Sequence, residues 1–200
     1  MDSSGSRIEV EVKLRFATVE EALERLALLP SVPEQPRKLE RNEVYDAAEG
    51  SLSREGRLLR LREVDGSGQL TYKEAVPGRA KARAKVRAEV ESGVDSPESM
   101  RAILTKLGFR VVYRYEKYRR YHTWRDEEGQ SLAISLDETP IGIYVELEGD
   151  QASIDRAARR MGFQKSDYIL EDYRSLHRAW LKQHGLPASD LCFDRPGEPR

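Results

Sequence analysis

Ten residues near the N-terminus alternate without a break. Arg7, Glu9, Glu11, Lys13 and Arg15 are ionic, and Ile8, Val10, Val12, Leu14 and Phe16 are apolar. A period of two puts these sets on opposite faces of a strand. The same alternation returns over residues 83–91, where Arg83, Lys85, Arg87, Glu89 and Glu91 interleave with Ala84, Val86, Ala88 and Val90. Weaker versions cover residues 58–62, 70–74, 116–121 and 144–148, and residues 132–136 form a further short strand running into Asp137. Glu-x-Glu recurs on these strands, at Glu9/Glu11, Glu89/Glu91 and Glu146/Glu148.

Helices fit between the strands. Thr18-Val19-Glu20-Glu21 is a capping-box pattern that opens a helix to about residue 28, before Pro30. Ser96-Pro97 supplies an N-cap and first helical residue, with Gly108 closing that helix. Residues 151–161 and about 172–183 give two more, stopped by Gly162 and by Gly185 with Pro187. Residues 66–68 and 126–129 read as hairpin turns. A single domain over residues 1–185 is expected, followed by a flexible tail over 186–200. Amphipathic helices can cover only the apolar face of such a sheet, so the fold class is α+β. The ionic face is then either open to water or closed into a charged barrel lumen. Periodicity alone leaves both open.

Charge makes the ionic face the point of interest. Of 200 residues 34% are charged, against about 25% in ordinary domains. The 34 Lys+Arg and 35 Asp+Glu nearly cancel, which disfavours a globally basic nucleic-acid binder. The basic run over residues 79–87 keeps a period of two and continues into Glu89 and Glu91, so it reads as a strand. No apolar run nears the roughly 20 residues of a membrane span and no signal-peptide core is present, so a cytoplasmic protein is expected. Cys192 is the only cysteine, which excludes an intrachain disulfide. His122, His177 and His184 lack zinc-ligand spacing, and the last two are placed on a solvated helix face. Tyr113, Tyr115, Tyr118 and Tyr121 read as strand packing, and Trp124 and Trp180 as hydrophobic anchors. Walker A, GxGxxG and GxSxG patterns are absent.

Paired carboxylates from separate strands suit a hard divalent cation. Glu9, Glu11, Glu146 and Glu148 can supply them, with Asp137 nearby. Lys13, Arg60, Arg62, Lys73, Arg87, Lys117 and Arg119 suit a ligand with several anionic oxygens. A triphosphate bridged by Mg²⁺ or Mn²⁺ uses both sets at once.

Glu9-Val10-Glu11-Val12-Lys13 resembles the ExExK signature of the CYTH family, the triphosphate tunnel metalloenzymes. Further matches follow in order at Leu59-Arg60-Leu61-Arg62, Leu70-Thr71-Tyr72-Lys73, Arg87-Ala88-Glu89-Val90-Glu91, Glu116-Lys117-Tyr118-Arg119, Ser135-Leu136-Asp137 and Ile143-Tyr144-Val145-Glu146-Leu147-Glu148. The resemblance implies an eight-stranded antiparallel β-barrel with a charged lumen and helices outside. It implies Glu9, Glu11, Glu146 and Glu148 as metal ligands with Asp137 assisting, and Arg60, Arg62, Lys73, Arg87, Lys117 and Arg119 as phosphate contacts. Lys13 becomes a catalytic candidate, its pKa expected to fall among neighbouring cations. Tyr45, in Asn42-Glu43-Val44-Tyr45-Asp46, resembles a family segment in which Ala47 replaces a Thr, and is a candidate partner of Lys13. The function implied is metal-dependent hydrolysis of a triphosphate-containing small molecule: inorganic tripolyphosphate, thiamine triphosphate or a nucleoside triphosphate. A class IV adenylyl cyclase and a non-catalytic polyphosphate or nucleotide sensor are the alternatives, and a homodimer is left open.

Overall fold

The structure, a computed structural model, describes residues 7–33, 36–76 and 84–194. Nine strands form one antiparallel sheet: β1 (Arg7–Phe16), β2 (Val32–Pro33), β3 (Lys38–Ala47), β4 (Leu58–Val64), β5 (Ser67–Ala75), β6 (Lys85–Val94), β7 (Phe109–Arg125), β8 (Ser131–Thr139) and β9 (Gly142–Glu148). Their order is β2-β7-β3-β4-β5-β6-β1-β9-β8, and a further β7–β8 pairing closes eight of them into a barrel. The tiny β2 hangs outside the ring on residues 122 and 123 of β7. The ionic faces therefore do not point at bulk water; they turn into a closed lumen.

Closure depends on the length of β7. Its first part pairs with β3 and its last part, from Tyr118 on, with β8. Five α-helices lie outside: α1 (Val19–Leu26), α2 (Ser51–Arg54), α3 (Pro97–Lys106), α4 (Gln151–Arg160) and α5 (Tyr173–His184). The expected Thr18 N-cap opens α1, but the return bond of the expected box falls one residue early, on Ala17 and not on Thr18. Thr18 Oγ1 accepts from the Glu21 amide at 3.1 Å, and the Glu21 carboxylate accepts from the Ala17 amide at 2.9 Å. The outward residues of β1 (Val12, Leu14 and Phe16) join Leu132, Ile134, Val145 and Leu147 in a core covered by α1 and α4. A second cluster, with Leu61, Val94 and Leu104, lies beneath α3.

Several expectations are corrected here. β3 is absent from the alternation pattern because both of its faces are polar, with Glu40 and Asn42 inward and Arg41 and Glu43 outward. The first hairpin turn falls on Asp65-Gly66, one residue early. Both take positive φ, 50° and 82°, as a two-residue hairpin loop requires. The strand expected from Arg83 begins at Lys85; Arg83 and the rest of residues 77–83, within the basic run, lie outside the described residues. The supposed tail is docked through Leu191, which is 2% exposed and forms a parallel bridge with Tyr115 of β7. Residues 195–200 lie outside the description.

Two irregular backbone pairings hold α5 across one end of the barrel. Before the helix, Lys13 and Ile169 exchange amide hydrogen bonds of 3.0 and 2.9 Å, on the edge of β1 that β6 has left. After it, Leu191 bonds to Arg114 and Glu116 on the stretch of β7 that precedes its pairing with β8. Gly185 ends α5 in the left-handed region at φ 65°. His177, expected on a solvated face, is instead buried, with its Nδ1 3.0 Å from the Tyr113 hydroxyl.

Candidate functional site

Strand register brings the charged residues together. Across β1 and β9, Glu11 stands opposite Glu148 and Lys13 opposite Glu146; across β1 and β6, Arg7 faces Glu89 and Glu9 faces Arg87. Lys73 of β5 sits opposite Glu89, Arg60 of β4 opposite Thr71, and Arg119 of β7 opposite Asp137. The result is one cavity of about 590 Å³. It is lined by all the candidate phosphate contacts and by Glu9, Glu11, Glu146, Glu148, Lys13 and Tyr45.

The lumen separates into two carboxylate groups with different partners. In the first, oxygens of Glu9, Glu89 and Glu148 lie within 4.8 Å of one another. Lys73 Nζ reaches both Glu9 oxygens at 2.6 and 2.7 Å and Glu89 at 3.0 Å, while Arg7 bridges Glu89 and Glu148 at 3.1 Å each. Burial, reinforced by the neighbouring Glu11, pushes the Glu9 carboxyl up to about 7. Burial also raises Glu148, against the opposing pull of Arg7. Glu89 shares that burial penalty, yet Lys73 and then Arg7 hold it below its ordinary value. Three clustered carboxylates, two of them with reluctant charge, form an oxygen donor set that fits a hard divalent cation.

The second group is built around fixed cations. Glu11 accepts from Lys13 Nζ at 2.7 Å and pairs with Lys85 at 3.3 Å. Glu146 pairs with Lys13 at 3.3 Å and with Arg119. Burial opposes the charge on Lys13, but Glu11 and Glu146 more than offset it and raise its pKa above the ordinary lysine value. The expected depression fails because the nearest neighbours of Lys13 are carboxylates. Tyr45 is not its partner either: a bulge between Val44 and Tyr45 turns the ring toward α3, and its hydroxyl donates to Glu43 at 2.9 Å. The aromatic neighbour of Lys13 is Tyr173, whose ring centre lies 5.4 Å from Nζ.

Asp137 is fully buried and saturated with donors. Arg119 gives it two hydrogen bonds of 2.5 Å, Lys117 one of 3.0 Å and the Tyr173 hydroxyl one of 2.6 Å. Its carboxylate orients cations and stands apart from the Glu9–Glu89–Glu148 group. Deeper along β3, Glu40 accepts from the Tyr121 hydroxyl at 2.7 Å and lies 3.5 Å from Arg62 and 3.6 Å from Lys117. Despite near-complete burial, these cations, with Arg119, hold it well below the carboxylate range. Arg60 donates to the Tyr115 hydroxyl and to Thr71, each at 3.2 Å.

Sequence reasoning missed Glu40, Glu89, Lys85, Tyr115, Tyr121 and Tyr173 as members of the site. Glu89 was legible in its strand but needed register to bring it onto Glu9. Tyr173 lies on a helix and carries no strand period to point inward.

Comparison with known proteins follows the same lines. No curated protein matches the sequence. Among solved structures, a candidate adenylate cyclase from Vibrio parahaemolyticus superposes with a TM-score of 0.68 at 19% identity, covering 86% of this chain and 98% of that one. A conserved hypothetical protein from Pyrococcus furiosus gives 0.61 at 25%, over 82% and 97%. HpAC1 from Hippeastrum, a candidate adenylyl cyclase described as having a dominant triphosphatase activity, gives 0.53 at 17%, over 90% and 97%. The CYTH domain model matches residues 7–176, a span that takes in the whole barrel and the first turn of α5. The chain belongs to the CYTH family.

Proposed function

We propose that this protein is a divalent-metal-dependent phosphohydrolase that cleaves the terminal phosphate of a triphosphate-containing small molecule. The observation that carries this reading is the pairing, in one closed lumen, of the Glu9–Glu89–Glu148 carboxylates with a wall of cations held by other carboxylates. Glu9, Glu89 and Glu148 would hold Mg²⁺ or Mn²⁺, with Glu11 and Glu146 beside them. Such an ion would neutralise phosphate oxygens and polarise the phosphorus.

The chain's own residues supply position and charge, which is most of what phosphoryl transfer asks of a protein. Arg60, Arg62, Lys117 and Arg119 present donors to the phosphate oxygens from β4 and β7. Their geometry is set in advance by Glu40, Asp137 and the tyrosine hydroxyls, so little reorganisation accompanies reaction. Lys13 keeps its proton and acts as a fixed positive charge, not as a base. Water attacks the terminal phosphorus and gives a proton to a phosphate oxygen; a new P–O bond forms, the bridging P–O bond breaks, and orthophosphate leaves with diphosphate or its organic ester.

Hydrolysis is preferred to cyclisation because, among the described residues, the lumen wall offers no open apolar plate for a nucleobase. Tyr113 and Tyr115 are only 6% and 8% exposed, with hydroxyls engaged by His177 and Arg60. The candidate cyclases among the structural neighbours keep cyclic AMP formation as the second reading. The test offers tripolyphosphate, thiamine triphosphate and ATP in parallel under Mg²⁺ and Mn²⁺. Orthophosphate release without cyclic AMP is expected. Cyclic AMP with diphosphate would establish the cyclase, and binding without turnover would leave a sensor. Among the described residues no helix is long and apolar enough to cross a membrane.

A further inference from the structure

The end of the cavity beneath α5 differs electrostatically from the rest. Elsewhere in the lumen Lys13, Lys73, Lys85 and Arg119 each have a carboxylate within 3.3 Å. At the α5 end Arg174, Arg178 and Arg87 have no such partner among the described residues. Arg178 lines the cavity and has no hydrogen bond, ion pair or ring contact among the described residues. Arg174 has only the face of Tyr113, 5.7 Å from its guanidinium carbon. Arg87 reaches across to the Gly56 carbonyl oxygen at 2.6 Å and has no ion pair among the described residues. Arg57, beside that carbonyl, pairs with Glu55 outside the lumen lining.

We propose that Arg174 and Arg178, with Arg87 and Arg57, form a second anionic subsite that extends the triphosphate site and takes the further phosphates of a linear polyphosphate. This rests on the triphosphate reading above and names the substrate class within it. An organic substituent fits that end less well, because the rings there are packed against one another: Tyr113 and Tyr115 stack at 6.0 Å, and Tyr115 lies 6.1 Å from Tyr173. What remains accessible is guanidinium, whose planar fork suits phosphate oxygens. The backbone that carries the α5 arginines is anchored to β1 through Ile169 and to β7 through Leu191. A subsite built on an anchored helix loses less entropy on binding than one on a free segment.

The test is isothermal titration of the metal-free protein at fixed ionic strength with inorganic triphosphate, inorganic tetraphosphate and ATP. Wild type is expected to bind tetraphosphate at least about tenfold more tightly than triphosphate, the scale of one or two charge-assisted contacts. In R174A/R178A that advantage should vanish while triphosphate affinity stays within about threefold. A control pair, R125A/R159A, removes the same charge from exposed positions outside this cavity and should keep the advantage. Equal tri- and tetraphosphate affinities in wild type would overturn the subsite while leaving the triphosphate reading intact. So would an advantage that survives R174A/R178A, or that ATP reproduces in full. Loss of all triphosphate affinity in wild type would instead overturn the underlying reading, and with tetraphosphate also unbound, the subsite with it.

Discussion

The Tyr173 hydroxyl donates to Asp137 Oδ2 at 2.6 Å, joining the first residue of α5 to the carboxylate that holds Lys117 and Arg119. Its ring lies between those cations' neighbourhood and Lys13, 5.2 Å from Lys117 Nζ and 5.4 Å from Lys13 Nζ. Helix docking and site electrostatics therefore share one side chain. Tyr173→Phe keeps the ring and removes one of four donors to a buried carboxylate. A loss of about 1.5 kcal/mol of stability is expected, since hydrogen bonds to charged groups contribute about 1.5–3 kcal/mol. Urea denaturation measures it. Asp137→Asn should cost more, about 3 kcal/mol, because it removes the carboxylate that two buried cations share and leaves them only Glu40 and Glu146. Equal losses for the two variants would show that the carboxylate is not the centre of this network.

Lys13 lies between Glu11 and Glu146 with its side chain only 3% exposed. Replacing it with Met conserves bulk and leaves two buried carboxylates short of a cation. Lys85 and Arg119 remain to them, so the expected loss is about 3 kcal/mol, at the low end for breaking a buried pair. The freed carboxylates should then favour an added cation. Mn²⁺ is expected to raise the melting temperature of Lys13→Met by more than it raises that of wild type. A smaller metal-induced shift in the variant would mean that Lys13 helps to assemble the metal site and does not compete with it.

How much of this was visible beforehand follows from side-chain periodicity. β1, β6 and β9 announce themselves because the helices outside need an apolar face and the lumen needs an ionic one, so Val12 and Lys13 alternate in the sequence as they do in space. β3 hides because Arg41 and Glu43 face solvent-side ion pairs while Glu40 and Asn42 face the lumen, which erases the period. The cations and carboxylates of the lumen were legible as sets, but their pairing was not. Whether Lys13 meets cations or carboxylates depends on register across β1 and β9, which sequence spacing does not encode. The docking of Leu191 is likewise set by a gap in β7–β8 pairing that only the closed barrel creates.

The division of the carboxylates into a metal-facing group and a lysine-facing group gives a sharper substitution test than loss of activity alone. Glu148→Gln should weaken Mn²⁺ binding at least about tenfold by removing one of three clustered donors, at little cost in stability, because Glu148 is partly exposed and its cation partner Arg7 is 61% exposed. Glu146→Gln should do the reverse, since it takes one of two carboxylates from Lys13 and from Arg119 at the centre of the lumen, leaving them Glu11 and Asp137. Calorimetric titration with Mn²⁺ together with urea denaturation separates the two effects. Similar behaviour of both variants in both measurements would merge the two groups into a single site.

Acid sensitivity should be readable at a point far from the lumen. Asp126, in the turn between β7 and β8, accepts from Ser153 Oγ at 2.6 Å, from Arg156, and from the amides of Glu128 and Gln130 at 2.9 and 2.8 Å. The Ser153 and Arg156 hydrogen bonds, both from α4, lower its pKa well below the ordinary aspartate value. A carboxyl depressed on folding adds stability that is fully present above its unfolded pKa of about 3.9 and disappears as pH falls through the lower folded value. Asp126→Asn keeps the size of the side chain and abolishes the titration. Its stability should lie below that of wild type at pH 7, and the gap should close as the pH is lowered from about 5 toward 2. Urea denaturation across that range measures the difference, and a gap that stays constant would show that Asp126 anchors α4 by shape and hydrogen bonding alone, with no contribution from its charge.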